Sequence, residues 1–409
     1  MKENLTPSCA EGQTICARKR PLIEPILLAL AQLMACGDPP LAPGDPGALP
    51  DFDLDACTIP SPPSVTPEAL VTGPVNNVVV VDRDVAWIVH SGDNTVGRLD
   101  LITGRFEKSF VDVDDNRNPW DLAPAAGRLL ITNFIAGSIS IADAATGQLL
   151  AERDDLGLDT PTGVAAAEGF ALVASAHFVG PGYGPGTLTA LRLLDGPPFV
   201  EPIGQIQTSA LSPLDVVYDE AHARFVAISS GDSGADPATG LFSPRSDGAL
   251  DLIALADLGD GLTEDDRTSI ALPLSPADPR AGNPRTLVIA PGGRFGYLPS
   301  GTSPQLYKVD LDTLEVLRGP ANPIAAYIGE GNQLTGLALR GDGVGYVTAF
   351  NQDALYLFDT GCDASVLGPI DLGNAALLEG PIDIAHDPAR GQALAILSVS
   401  SALTIIKDR

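Results

Sequence analysis

The chain has 409 residues, a formal net charge of −28, 44% hydrophobic residues and only 5% aromatic ones. So acidic a chain repels phosphate backbones, which excludes nucleic acid as a partner, while it favours solubility and the company of divalent cations. Gly and Pro are frequent, at 43 and 36 residues, and few helical periods follow residue 40, so a large all-β unit is expected rather than a helical one.

At the N-terminal end, Arg18-Lys19-Arg20 precedes an apolar stretch from Pro21 to Gln32, centred on Ile26-Leu27-Leu28-Ala29-Leu30. A basic patch, an apolar run too short to span a bilayer and a small residue at a cleavage point predict an export signal over residues 1–35. The run Leu33-Met34-Ala35-Cys36 resembles a bacterial lipobox. That resemblance implies that the Cys36 thiol is lipidated, becomes the mature N terminus and anchors the protein in a bacterial envelope. Gly37 after the cysteine, where an Asp would mark retention, leans by the same resemblance towards the outer membrane. Residues 36–63 are rich in Pro and Gly, as in Pro39-Pro40 and Pro60-Ser61-Pro62-Pro63, and read as an extended, solvated tether.

Seven times in residues 64–409 a short phrase returns: a small residue or Asn, then Pro, a variable residue, a turn or polar residue, and an apolar run. The copies are Gly73-Pro74-Val75-Asn76, Asn118-Pro119-Trp120-Asp121, Thr160-Pro161-Thr162-Gly163, Ser212-Pro213-Leu214-Asp215, Asn283-Pro284-Arg285-Thr286, Asn332-Gln333-Leu334-Thr335 and Gly380-Pro381-Ile382-Asp383. Their second positions are separated by steps of 45, 42, 52, 71, 49 and 48 residues. A period near forty to fifty with several short strands per unit predicts a β-propeller of seven blades. The second repeat shows the grammar: Leu129-Leu130-Ile131-Thr132 is a continuous apolar strand, and Ser138 to Asp143 alternates with period two, as fully and half-buried strands do.

After Gly380 too few residues remain for four strands. An uncovered outer edge invites aggregation, so Val65 to Val71 is expected to supply the fourth strand, and both termini then share the closing blade. Third strands end on Asp100-Leu101-Ile102-Thr103-Gly104, Asp310-Leu311-Asp312-Thr313 and Asp359-Thr360-Gly361. In these endings the chain resembles bacterial propellers of the YVTN-repeat kind over roughly residues 65 to 409. The resemblance implies the fold and leaves the activity open.

Cys9 and Cys16 would leave with the export signal. Of the cysteines beyond Cys36, Cys362 falls in the turn between third and fourth strands of the sixth repeat, on one rim of the ring. Cys57 lies just before the proposed closing strand, which starts from the same rim in the adjacent blade. An exported compartment permits disulfides, so a Cys57–Cys362 bridge is predicted.

Strand order places the loops leaving second strands, and the starts of first strands, together on the opposite rim around the channel. There the sequence gathers His90, Asp93, Asp121, Asn133, His177, Asp215, Asp232, Arg285, Asn351 and Asp383. Carboxylates and amides converging on one channel offer oxygen ligands for Ca²⁺, although Asp at such turns also commonly caps backbone N–H groups. Two longer insertions, around Gly180 to Gly186 and over residues 231–248, extend that rim in the third and fourth repeats, and long loops on a rigid scaffold are where recognition resides. No P-loop, Gly-x-Ser-x-Gly, Cys-x-x-Cys or His-Glu-x-x-His pattern occurs, which removes the usual support for nucleotide-driven, serine-nucleophile and zinc-hydrolase chemistry. The expectation is a lipid-anchored binding or scaffold module for a protein, peptide or glycan. The alternative is a metal-dependent lactonase or lyase with its site at the channel mouth.

Overall fold

The computed structural model describes residue 57 and residues 60–179, 182–235, 242–324, 333–373 and 379–408. The export signal, the Cys36 anchor and most of the tether lie outside the described residues. No described helix is long and apolar enough to cross a membrane.

Period-two and fully apolar runs become strands, and the Gly- and Asp-rich links between them become tight turns. The result is seven four-stranded antiparallel sheets, one per repeat. Blade 2 is typical: Pro119–Ala125 is innermost, followed outwards by Arg128–Asn133, Ser138–Asp143 and Leu149–Arg153. Its second strand is buried almost throughout, because both faces of the sheet are covered by neighbouring blades. Seven apolar clusters fill the wedges, each joining one blade to the next. The one that unites Val79, Ala86, Ile88 and Leu99 of blade 1 with Leu394, Ile396 and Leu403 of blade 7 closes the circle. The protein is a seven-bladed β-propeller.

The closing blade takes three strands from the C-terminal end, Pro381–Asp387, Gln392–Leu397 and Ala402–Lys407, and its outermost strand, Ser64–Val71, from the N-terminal side. Ser64 pairs with Lys407 and Val71 with Ala402, with a register shift between Thr66 and Leu70. Val65 and Leu70 pack on the clusters that bound this blade on either side.

The recurring Asp at the end of third strands has a local cause. Asp100 Oδ1 accepts the N–H groups of Ile102 and Thr103 at 3.0 and 2.8 Å, and Asp143 and Asp310 do the same two and three residues on. Each folds the chain back towards the fourth strand by satisfying donors that the turn would otherwise leave bare.

The structure also corrects the alignment of two copies of the phrase. Pro119, Pro161, Pro213 and Pro381 pair with the last residues of their second strands, and in blade 1 that place belongs to Asn76, opposite His90. Pro74 therefore stands two residues too early. In blade 6 the place is taken by Leu334, opposite Ala349, one residue after Gln333. In both, a non-proline residue occupies the position, so the Pro-based phrase had nothing to lock onto.

Cys57 and Cys362 are joined by a disulfide, with Cα atoms 5.3 Å apart and 305 residues of separation. The turn that carries Cys362 is itself clamped to blade 5: Lys308 Nζ meets Asp363 at 2.7 Å and the Tyr297 hydroxyl donates to the Thr360 carbonyl at 3.4 Å. Closing so long a loop restricts the unfolded chain, which is worth on the order of 3–5 kcal/mol. Cys362→Ser is therefore expected to lower the unfolding free energy by that amount, read as a fall in the denaturant midpoint. An unchanged midpoint, with the wild type confirmed to be oxidised, would show that the bridge adds nothing.

Candidate functional site

At the channel, the first turn of each inner strand must satisfy its own backbone donors and also meet the strand of the next blade. Asp121 does both: its Oδ1 accepts Leu122 N–H at 2.7 Å, and its Oδ2 reaches across to Val164 N–H of blade 3 at 2.9 Å. Asp383 accepts Ile384 N–H and, at 3.0 Å, Val79 N–H of blade 1. Asp215 accepts Val216 N–H at 2.8 Å, together with the Thr286 hydroxyl and Leu287 N–H of blade 5.

Smaller groups bridge the remaining junctions. The Thr162 hydroxyl donates to the Pro213 carbonyl at 2.8 Å, that of Thr335 to the Pro381 carbonyl at 2.6 Å, and Ser91 to the Pro119 carbonyl. Between blades 5 and 6, Leu334 N–H donates to the Ser300 carbonyl at 3.0 Å. Every junction of the inner ring is thus latched, and three of the seven latches are carboxylates. Where Gly163 and Gly336 face Asp215 and Asp383, a Cβ would lie 2.6 and 2.7 Å from the neighbouring backbone. Glycine there lets the inner strands approach closely enough to latch.

Burial dominates the electrostatics of these acids. Asp121 is pushed well above the usual carboxylate range by desolvation and then by the nearby charges of Asp215 and Asp383, against the pull of its N–H partners. Asp215 is raised by burial, and Asp383 by burial to about 7. Asp215 and Asp383 keep a sliver of accessible surface along the channel while protein surrounds them. Carboxylates whose oxygens are already bonded to backbone N–H groups, and which resist ionising, make poor metal ligands. Among the described residues, no group of three or more His, Cys, Asp or Glu side chains is placed to hold a metal ion.

Arg285, on the inner segment of blade 5, belongs to the same cluster, within electrostatic reach of Asp383 and of Tyr183. Desolvation lowers its pKa, and the two neighbours oppose that shift. Tyr183 comes from the blade 3 insertion, which forms a small hairpin, Phe178–Val179 with Gly182–Tyr183, its two rings 5.4 Å apart edge to face. A second hairpin, Ser233–Ala235 with Phe242–Pro244, rises from blade 4. Asp232 at its foot acts electrostatically on Tyr183. The residues that converge are therefore Asp121, Asp215, Asp383 and Arg285, with Tyr183 and Asp232 above them.

Of the other sequence-predicted residues, His177 stands at the foot of the Tyr183 hairpin, packed where Gly184 has no Cβ, and the rest are tied into their own blades or turns. His90 is fully buried inside blade 1, its ring wedged where Gly73 and Gly97 leave room, with Nδ1 3.2 Å from the Thr95 hydroxyl. Burial pushes it down to about 4, so it is a neutral core imidazole at ordinary pH. Asp93 accepts the Thr95 hydroxyl and pairs with Lys108, on the outer strand, at 3.3 Å. Asn133 is buried within blade 2, donating to Ser138, Ser140 and the outer-strand Glu152. His177 pairs with Asp159 at 2.6 Å, with both side chains half-exposed. Asn351 sits exposed in the Phe350–Gln352 turn of blade 6. Strand order alone put them on the correct ends of strands. Which way a side chain turns from there is set by the partners packed around it, such as Thr95 for His90 and Ser138, Ser140 and Glu152 for Asn133.

A cleft of about 470 Å³ opens on the same rim between blades 3 and 4, lined by small hydroxyl residues such as Thr208, Ser209, Ser246 and Ser269, with Asp247. It shares no residue with the channel cluster.

No protein-family model matches the chain, and no curated protein matches it in sequence. Solved structures do resemble it in shape. A hydrazine synthase from Kuenenia stuttgartiensis superposes with a TM-score of 0.60 at 15% identity, covering 83% of this chain and 97% of its own. A catalytically inactive virginiamycin B lyase from Staphylococcus aureus, solved with quinupristin, gives 0.60 at 10% identity over 84% of this chain and 99% of that one. The propeller domain of Cps50 (Swd1) from Myceliophteria thermophila gives 0.55 at 12% identity over 84% and 99%. What they share with this chain is the fold.

Proposed function

We propose that this protein is a binding module, tethered by lipid at Cys36 to a bacterial outer membrane, that docks a protein or peptide on its upper rim, where inner strands begin. One observation carries the reading. Six large apolar side chains are exposed among the described residues, and four of them, Val71, Ile135, Val179 and Val399, lie at loop or strand ends on that rim. The half-buried Trp120, stacked on Phe134 at 4.8 Å, stands beside Ile135. Apolar groups gathered on one rim, around a polar channel and a cleft, have the anatomy of a recognition surface. The export features of the N-terminal residues support the envelope location, and the Cys57 bridge on the opposite rim would keep the tether clear of the docking face.

A lactonase or lyase reading gains only the company of lyases among proteins of the same fold. A Ca²⁺-dependent version would require Asp121, Asp215 and Asp383 to surrender the bonds that latch the blades. The docking reading is tested by photo-crosslinking amino acids placed singly at Ile135 and Val399 on the upper rim, and at Ile102 and His222 on the lower, in cells expressing the full chain. Discrete adducts from the upper pair alone are expected. Adducts from the lower pair only, or equally from both, would overturn it.

A further inference from the structure

We infer that the channel mouth is a carboxylate-recognition site in which the Arg285 guanidinium grips the anion and the Tyr183 hydroxyl donates to it. Every other described arginine has an ion pair, a hydrogen bond or another partner within the protein. Among the described arginines, Arg285 alone has no ion pair and no side-chain hydrogen bond, in a chain whose net charge is −28. The Tyr183 hydroxyl is likewise unpartnered, and neither group is shut away from solvent.

Partial burial strips part of the hydration of an unpaired cation at a cost, which an incoming anion can offset. The surroundings hold the side chain in place. Its backbone N–H is tied to the Pro299 carbonyl at 3.1 Å, and its stem lies where Gly301 has no Cβ: a methyl there would sit 2.8 Å from Arg285 Cδ and 2.5 Å from Asn283 Oδ1. A guanidinium pre-positioned in this way offers two parallel N–H donors to a planar acceptor.

The neighbours choose a monoanion. Asp383 acts electrostatically on Arg285 and Asp232 on Tyr183, so each added negative charge on the ligand meets repulsion from these carboxylates. A carboxylate carries one negative charge where phosphate carries about 1.5 to 2 near neutral pH. Asp383 also competes for Arg285 once ionised, which makes binding weaken as pH rises through about 7. The site deepens the docking reading by naming the ligand group, and the two fail separately. Rim crosslinks without carboxylate binding would leave docking standing, whereas carboxylate binding without crosslinks would leave the site standing.

The test is protection of Arg285 from phenylglyoxal in the full-length wild-type protein, followed by peptide mass spectrometry. The probes are acetate, the tripeptide Ala-Ala-Ala, its C-terminal amide and inorganic phosphate. Acetate and the free tripeptide are expected to slow modification of Arg285 saturably, by about fivefold or more, leaving the exposed Arg83 unaffected. The amide should not protect, and phosphate should protect less than acetate. Stronger protection by the tripeptide than by acetate would identify a peptide terminus as the source, and the reverse a small carboxylic acid. Asp383→Asn should remove the decline in protection between about pH 6 and 8. An Arg285 that reacts at one rate with and without carboxylates, or is protected equally by the amide or by phosphate, overturns the assignment.

Discussion

Deleting Ser64–Val71 is expected to end cooperative folding of the ring, or to leave a protein that self-associates through blade 7. The strand is the outermost of its blade, and among the described residues no other segment pairs with the outer edge of Ala402–Lys407. Its loss would strip an antiparallel ladder from Ser64 opposite Lys407 to Val71 opposite Ala402, and uncover Leu403 and Ile406, both fully buried in the intact protein. Two partly buried side chains, Val65 and Leu70, together with the ladder bonds, contribute on the order of 5 kcal/mol. That is a large share of the roughly 5–15 kcal/mol by which domains are stable. The freed edge also presents unpaired backbone groups that can template pairing with a second chain. Size-exclusion chromatography and urea melts of the truncated and intact proteins decide the matter. A truncated protein that stays monomeric and melts at the same midpoint would show that the blade closes without this strand.

Asp383→Asn is expected to stabilise the protein selectively at high pH. In the folded state the carboxyl of Asp383 holds its proton up to about 7 because it is buried, whereas in the unfolded chain it releases it near 3.8. A folded-state value above the unfolded one contributes stability that is complete below about pH 4 and is lost as pH climbs to about 7, because the native state binds the extra proton. Integrated over that window the loss is on the order of 4 kcal/mol. Asp121 and Asp215 shift in the same direction, so they steepen the same decline. Asparagine keeps an acceptor for Val79 N–H but cannot ionise, and it leaves Ile384 N–H short of a partner at a cost of about 1–3 kcal/mol. The variant should therefore be the weaker protein at pH 4 and gain on the wild type as pH rises. Urea midpoints measured at about half-unit pH steps would reveal this as two curves that converge or cross. Parallel curves would mean that the Asp383 carboxyl titrates as it does in solvent.

Seven repeats, their four-strand grammar and the need for a strand from the far end of the chain could all be read from Pro119, Pro161, Pro213, Pro284 and Pro381 and the apolar runs behind them. That legibility has a physical source: turn chemistry and period-two burial are local, so they are written in consecutive residues. Even the Asp100, Asp143 and Asp310 turns carry their partners within three positions. Blade 1 and blade 6 escaped exact alignment because Asn76 and Leu334 stand where proline does elsewhere, and only pairing with His90 and Ala349 reveals their place.

The channel cluster divides along the same line. Asp121, Asp215, Arg285 and Asp383 were recognisable as inner-strand residues from the repeat phase alone. That the three acids latch neighbouring blades, while Arg285 is left without a partner beneath Tyr183, follows from how closely seven sheets approach around one axis. Tyr183 carried no signal beyond its long insertion, since its nearness to Arg285 spans two blades and a hundred residues of chain. His90 and Asn133 end second strands that pair in unbroken register with third strands, opposite Thr95 and Ser138, and their side chains bond into the blade rather than at the channel. The order of the strands was fixed by short-range chemistry. The company each polar group keeps was decided by closure of the ring, since only closure brings distant segments within hydrogen-bonding range.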